Sequence, residues 1–201
     1  MQGQTELEAL SYALGLNVGN SLKGSGFEEL DTEQFLKGLK EAMTTEVSNA
    51  QLQESNAVVQ AFMKEKEAEK AKVMAKEGTE FLKENATKEG VVTLPSGLQY
   101  KVIKEGTGVK AVDGDQVTTH YTGRFVDGKV FDSSVERGQP ATFGVNQVIA
   151  GWTEALKLMP EGSKWQLFIP YDLAYGTQGR PGIPAYSTLI FDIELIDVVG
   201  K

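Results

Sequence analysis

Between Val117 and Gly176 the chain gathers an unusual set of side chains. They read Thr119-His120-Tyr121-Thr122-Gly123, then Val130-Phe131-Asp132-Ser133-Ser134, then Val148-Ile149-Ala150-Gly151-Trp152, and later Leu173-Ala174-Tyr175-Gly176. Together these segments put many rings and one carboxylate into about sixty residues that otherwise read as short strands and turns. Those residue types suit a concave apolar pocket with one fixed polar contact, the usual form of a small-ligand site. They do not suit a nucleophile, a metal cage or a phosphate cradle. The single His120 lies on the strand face opposite Tyr121, with no Ser or Asp companion in evidence, and reads as structural. Taken singly, Trp152, Phe131, Phe143 and Phe191 would read as core, Asp132 as a turn residue before Ser133, and Tyr175 as a turn aromatic before Gly176. Neither Gly106-Thr107-Gly108 nor Gly176-Thr177-Gln178-Gly179 completes a nucleotide-binding glycine pattern.

Bulk composition narrows the field further. The net charge of -8 argues against a nucleic-acid partner. Cysteine is absent, which excludes disulfides, thiol catalysis and Cys-based zinc sites. With one histidine, most His-based metal sites are excluded as well, and no cofactor or metal is expected. No stretch is long and apolar enough to span a bilayer. No secretory signal pattern opens the chain, although a mature form would have lost one.

The elements that must position these residues divide at about residue 90. All six Pro and both Trp lie at or beyond Pro95, and the first ninety residues contain no Pro and no Arg. This shift separates a helical half from a turn-rich β half. A first helix is predicted over Glu6–Lys23, with Leu10, Leu14, Val18 and Leu22 recurring every four residues. Gly15 and Gly19, one turn apart, would let another helix approach closely or would simply pack within the chain. A second helix starts at the N-cap Asp31, with Gln34 at the capping-box position and Phe35, Leu36, Leu39 and Met43 as its apolar stripe.

The third predicted helix spans Asn49–Glu89 and, at about 1.5 Å per residue, would be roughly 50–60 Å long. Its middle, Lys64 to Lys72, is charged nearly all round, as in a solvated spacer. A short seam through Ala68, Ala71 and Ala75 is the alternative. Glu67–Lys70 and Glu84–Lys88 stand at contact spacing. Short amphipathic helices without a sheet need a second layer to cover them, and a second copy of the chain would supply it. In the β half, Val117, Thr119 and Tyr121 share one face, Trp165, Leu167 and Ile169 alternate likewise, and Leu189, Phe191, Ile193 and Leu195 form the apolar side of a last strand. Val148–Leu158 reads as a short helix across the sheet, carrying Ile149, Trp152 and Leu156 on one flank. The fold class is α+β.

In order and spacing, His120-Tyr121-Thr122-Gly123, Phe131-Asp132-Ser133-Ser134, Val148-Ile149-Ala150-Gly151-Trp152, Ala174-Tyr175-Gly176 and Leu189–Leu195 strongly resemble the FK506-binding protein (FKBP) family of peptidyl-prolyl isomerases. Ser11-Tyr12-Ala13-Leu14-Gly15, the long charged helix and the junction Leu94-Pro95-Ser96-Gly97-Leu98-Gln99-Tyr100 resemble the bacterial macrophage infectivity potentiator type. The resemblance implies a helical dimerisation domain over 1–48, a spacer helix over 49–90, and an isomerase domain over 91–201 whose antiparallel sheet wraps on a short helix. It further implies a V-shaped homodimer that turns over Xaa-Pro bonds and assists folding of unfolded or proline-containing polypeptides. A binding chaperone with incidental turnover is the alternative. Envelope residence is common in that type, so the periplasm or cell surface is expected, with the cytoplasm as alternative.

The resemblance also assigns roles. Trp152 becomes the pocket floor beneath the proline ring, with Tyr121, Phe131, Phe143, Val148, Ile149 and Phe191 as walls. Tyr175 would donate its hydroxyl to a substrate carbonyl, and the Ile149 N–H would be a further donor. Asp132 would face the amide carbonyl carbon or a polar ligand group, held by Arg137. Ile183 and Tyr186 would overhang the pocket. FK506- and rapamycin-type macrolides are the implied inhibitors. Three departures bear on their affinity and on the preferred residue before proline: Ala141 replaces an aromatic, Arg180 replaces a His, and the Gly182–Tyr186 loop is one residue shorter.

Overall fold

The computed structural model describes residues 5–27 and 29–201. These form two compact units, Met1–Gln60 and Ala61–Lys201.

In the first unit, α1 spans Glu6–Gly24 and α2 spans Thr32–Thr44. Thr5 opens α1 with a complete capping box: its hydroxyl accepts from Glu8 N–H while the Glu8 carboxylate accepts from Thr5 N–H. At α2 the box is half-formed, with Asp31 Oδ1 accepting from Glu33 and Gln34 N–H at 3.1 Å each and no return bond from the Gln34 side chain. No described residue of α1 or α2 is buried. Leu7, Leu10, Leu14, Val18, Leu36 and Leu39 are all exposed.

The third helix, α3, spans Asn49–Asn85, four residues short of the predicted end. Asn85 is buried, and its side chain donates to Gln99 Oε1 (2.9 Å). Beyond it the chain tightens through Thr87 N–H to Glu84 O and Lys88 N–H to Asn85 O before turning at Gly90. Along α3, Lys66–Glu69 (3.6 Å) pairs in place of the expected Glu67–Lys70, and Glu84–Lys88 pairs at 3.6 Å as expected. Every residue from Asn49 to Lys70 is exposed, but Ala71, Met74, Ala75, Gly78, Phe81, Leu82 and Asn85 form a half-buried or buried stripe. That three–four spacing is one helix face docked on protein. Ala71 and Ala75, weighed above as seam residues, therefore belong to this docked face.

The second unit is an antiparallel sheet. Its strands are β1 (Val91–Thr93), β2 (Gln99–Lys104), β3 (Gln116–Phe125), β4 (Val130–Ser133), β5 (Ala141–Gly144), β6 (Lys164–Ile169) and β7 (Leu189–Val198). The order is β1-β2-β6-β7-β3-β4, with β5 pairing β3. Helix α4 spans Ala150–Leu158 and lies on the inner face, where Trp152, Ala155 and Leu156 join Val117, Leu167, Ile169, Ile193 and Leu195 in the core. It starts two residues later than predicted. Ile149 is its N-cap in extended conformation (ψ 150°), so Val148 and Ile149 form a rim ahead of the helix. The opposite face is not wholly solvated: Phe168 is buried there against Phe81 of α3, ring centroids 5.9 Å apart. Strict alternation along β6 accordingly fails at Phe168.

Candidate active site

The aromatic residues singled out by sequence converge over the inner face. Trp152 is 4% exposed and is met edge-on by three rings: Tyr121 (5.2 Å, 83°), Phe191 (5.2 Å, 86°) and Phe143 (5.7 Å, 85°). Edge-to-face contact aims the positive ring edge at the negative ring face and fixes each orientation. Phe131 stands edge-on to Phe191 at 5.6 Å. Phe131, Phe143, Val148, Ile149 and Tyr175 are half-buried at the margin, whereas Tyr121, Trp152, Ile183 and Phe191 are buried beneath. The indole Nε1–H of Trp152 is buried with no hydrogen-bond partner among the described residues, so the ring-lined floor holds one unpaired donor.

Phe131 and Asp132 are neighbours in sequence and would point to opposite faces of a regular strand. Pairing prevents that. Thr122 lies opposite Ser133 and Gly123 opposite Asp132, but Arg124 pairs with Val130, leaving Phe131 as the extra residue of a β-bulge. Both side chains then serve one site. Gly123 makes room for the rings, since a Cβ there would lie 2.6 Å from Phe191 Cε1 and 2.7 Å from Phe131 Cζ.

The carboxylate of Asp132 is held on two sides. Tyr121 donates its hydroxyl to Oδ2 (2.7 Å), and Arg137 pairs with Oδ1 while donating a second N–H to the Tyr121 oxygen (3.0 Å). Burial alone would raise the Asp132 pKa, but the hydrogen bonds from Tyr121 and Arg137 outweigh it and hold the carboxyl below its ordinary range. For Tyr121, burial and the bond to Asp132 push the phenol above its ordinary value. The site thus keeps a fixed anion and a protonated phenol.

Ser134 sets the Tyr121 main chain. Its Oγ accepts from Tyr121 N–H (2.8 Å), its own N–H donates to Tyr121 O (3.0 Å), and its Oγ lies 3.1 Å from His120 Nδ1. His120 therefore has the serine companion that the sequence did not reveal. That serine is fully buried and committed to the backbone, so the pair is no nucleophile. The missing signal was a pairing between β3 and the end of β4. Arg180, named above only as a departure, is a further member: its guanidinium lies 4.6 Å from the Tyr175 ring centroid. Ile183 is buried and Tyr186 half-buried in the loop returning to β7. No group of three His, Cys, Asp or Glu able to hold a metal occurs among the described residues.

Fold and site together define an FKBP-like α+β unit behind a helical region. Residues 107–196 match the family model described as FKBP-type peptidyl-prolyl cis-trans isomerase, and residues 7–102 match the domain amino-terminal to it. The chain belongs to the FKBP-type peptidyl-prolyl cis-trans isomerase family. It is 45% identical to the FKBP-type 22 kDa peptidyl-prolyl cis-trans isomerase of Escherichia coli, covering 94% of each chain. To the outer membrane protein MIP of Legionella longbeachae it is 44% identical, covering 96% of this chain and 86% of that protein. The crystal structure of FkpA from Escherichia coli superposes with a TM-score of 0.81 at 36% identity, covering 97% of both chains.

Proposed function

We propose that this chain is a peptidyl-prolyl cis-trans isomerase that accelerates rotation of Xaa-Pro bonds without covalent chemistry. Rotation is slow because the amide's partial double bond must be broken, a barrier of about 18–20 kcal/mol. A catalyst need only bind the twisted imide better than the planar one. Twisting removes resonance and charge separation, so a dry aromatic floor favours the twisted form relative to water, which stabilises the planar dipole. The observation that carries this reading is the ring cluster around Trp152 with the clamped Asp132 at its margin.

Each side chain then has a task. Trp152 underlies the prolyl ring, and Tyr121, Phe131, Phe143, Val148, Ile149 and Phe191 enclose it. Asp132, ionised and oriented by Tyr121 and Arg137, faces the carbonyl carbon. Ile149 N–H finds no acceptor among the described residues and is available to a substrate carbonyl. Tyr175 supplies its hydroxyl to another. Ile183 and Tyr186 border the residue before proline, and the same surface would admit FK506- and rapamycin-type macrolides.

By role the chain divides into dimerisation residues 1–48, a spacer over 49–90 and the isomerase over 91–201. The exposed apolar residues of α1 and α2 support a homodimer, because a second copy would cover them. Two linked sites would raise the effective concentration on an unfolded polypeptide. The same exposed residues favour a second reading, a binding chaperone with incidental turnover. Residence in the envelope, at the periplasm or cell surface rather than the cytoplasm, is supported by the name of the Legionella relative.

The test is isomerisation of a short Xaa-Pro peptide. Asp132→Ala and Trp152→Leu each lower kcat/KM by about tenfold or more, or roughly 1.4 kcal/mol of transition-state stabilisation. Undiminished turnover in both variants removes the site assignment. If Asp132→Ala abolishes turnover yet suppression of aggregation persists, chaperone activity is a separate property of the chain.

A further inference from the structure

We propose that α3 braces the site's overhanging loop from behind, and that Gly78 is a positioning residue for isomerisation because it lets Thr188 press against the helix. This deepens the reading above and rests on it. Glycine is the poorest helix former after proline, and Gly78 lies well inside α3, at neither cap. It is also one of only two residues of α3 that are buried, the other being Asn85. A Cβ at this position would stand 3.0 Å from Thr188 Cβ and closer still to Thr188 Oγ1. Rotation about χ1 would swing Oγ1 aside, but the Cβ is fixed by the backbone. Relief of the contact therefore has to come from the main chain at Thr188 or from retreat of the helix.

The helix is not free to retreat. Its last turns are tied to the sheet by Asn85 Nδ2 to Gln99 Oε1 (2.9 Å), by Gln99 Nε2 to Leu82 O (2.8 Å), and by the Phe81–Phe168 ring contact. The loop, in turn, transmits displacement instead of absorbing it. Arg180 and Ile183 exchange both backbone hydrogen bonds (2.8 Å each), Tyr186 N–H donates to Gly176 O (3.0 Å), and Ser187 Oγ donates to Pro184 O (2.7 Å). Tyr186 is the one described non-glycine residue at positive φ (60°), a conformation that persists where surroundings over-determine it. From Thr188 the chain runs through Leu189 and Ile190 to Phe191 in the site wall, and backwards through Tyr186 to Ile183, buried in the same core cluster as Trp152. A shift of Thr188 therefore moves both the overhang and a wall. Its effect falls on substrate selection as well as rate, because the overhang borders the residue before proline.

The experiment uses the full chain and two Xaa-Pro peptides that differ only in the residue before proline. Gly78→Ala is expected to lower kcat/KM by roughly three- to thirtyfold, as small misplacements of a site do, and to change the ratio between the two peptides. Adding Thr188→Gly, which removes the Cβ that a residue at 78 would meet, recovers at least half of that loss on a logarithmic scale. Should Gly78→Ala fail to fold, Thr188→Ala alone, which removes Oγ1 from its place against Gly78 and leaves slack there, is expected to shift the peptide ratio in a fully folded chain. Amide hydrogen exchange across residues 176–188 rises in each single variant. An unchanged peptide ratio and unchanged exchange overturn the positioning role, as does a loss that the second substitution leaves in place. If the unaltered chain itself turns over neither peptide, the isomerase reading fails. The exchange measurement then still decides whether Gly78 positions the loop.

Discussion

Asp132 shows how three side chains can fix one charge. Its carboxylate is partly buried, which by itself opposes ionisation, yet Tyr121 and Arg137 together stabilise the anion. Because its folded pKa is lowered, the folded chain binds this proton less readily than the unfolded chain does. The stability contributed by the cluster is thus present above the unfolded value of about 4 and is lost as pH falls through the lower folded value. Turnover is expected to stay level from about pH 5 to about pH 9, since Asp132 remains ionised and the raised Tyr121 phenol remains protonated throughout. Arg137→Ala should move the acid limb of the kcat/KM profile upward, because burial then faces one hydrogen bond in place of two. A pH–rate series on both proteins checks this, and coincident acid limbs would contradict the clamp. Tyr121, Trp152 and Phe191 were legible from motif spacing and strand alternation. The approach of Phe131 and Asp132 to the same site was not, because a bulge is a property of two paired strands and leaves no periodic trace in either. Ser134 escaped for a similar reason: its hydroxyl replaces a strand partner only once β4 has ended.

At the scale of elements, α3 is two things in succession. Its first turns are exposed on every side, while its last turns present a stripe to the sheet. The charged middle was readable from composition. Docking was hidden because the first half of the stripe is Ala71, Met74, Ala75 and Gly78, whose small or flexible side chains give a weak apolar signal, leaving only Phe81 and Leu82 to announce it. Asn85 closes that docking. With its amide removed, Gln99 Oε1 would be buried without a donor, so Asn85→Ala should cost about 1–3 kcal/mol in chemical denaturation. Loss of far less would mean that water substitutes readily at this junction. The helix ends where its i−4 ladder gives way to the i−3 bonds of Thr87 and Lys88 ahead of Gly90.

Across the whole molecule, the two units stand on different physical footing. The second encloses a full core between α4 and the sheet. The helices of the first bury nothing among their described residues, although α1 is capped well enough to form. Leu10→Asp combined with Leu14→Asp places two charges on the exposed stripe and should yield monomers by light scattering. Short-peptide turnover per chain should be retained, since neither residue belongs to the isomerase unit. A dimer that survives both substitutions would locate its interface elsewhere. The exposure of these helices was legible in the sequence, which offers their apolar stripes no second layer.

The bulge at Phe131 also carries a parity rule. Strand pairing counts in twos, so removing one residue between Lys129 and Asp132 would restore regular alternation and send either the ring or the carboxylate to the opposite side of the sheet. Length changes after Arg137 escape this constraint, because the segment from there to Pro140 is exposed and pairs with no strand, whereas Arg137 itself must keep its reach to Asp132. Insertions that retune ligand preference are therefore tolerated beyond Arg137 and ruinous ahead of Ser133.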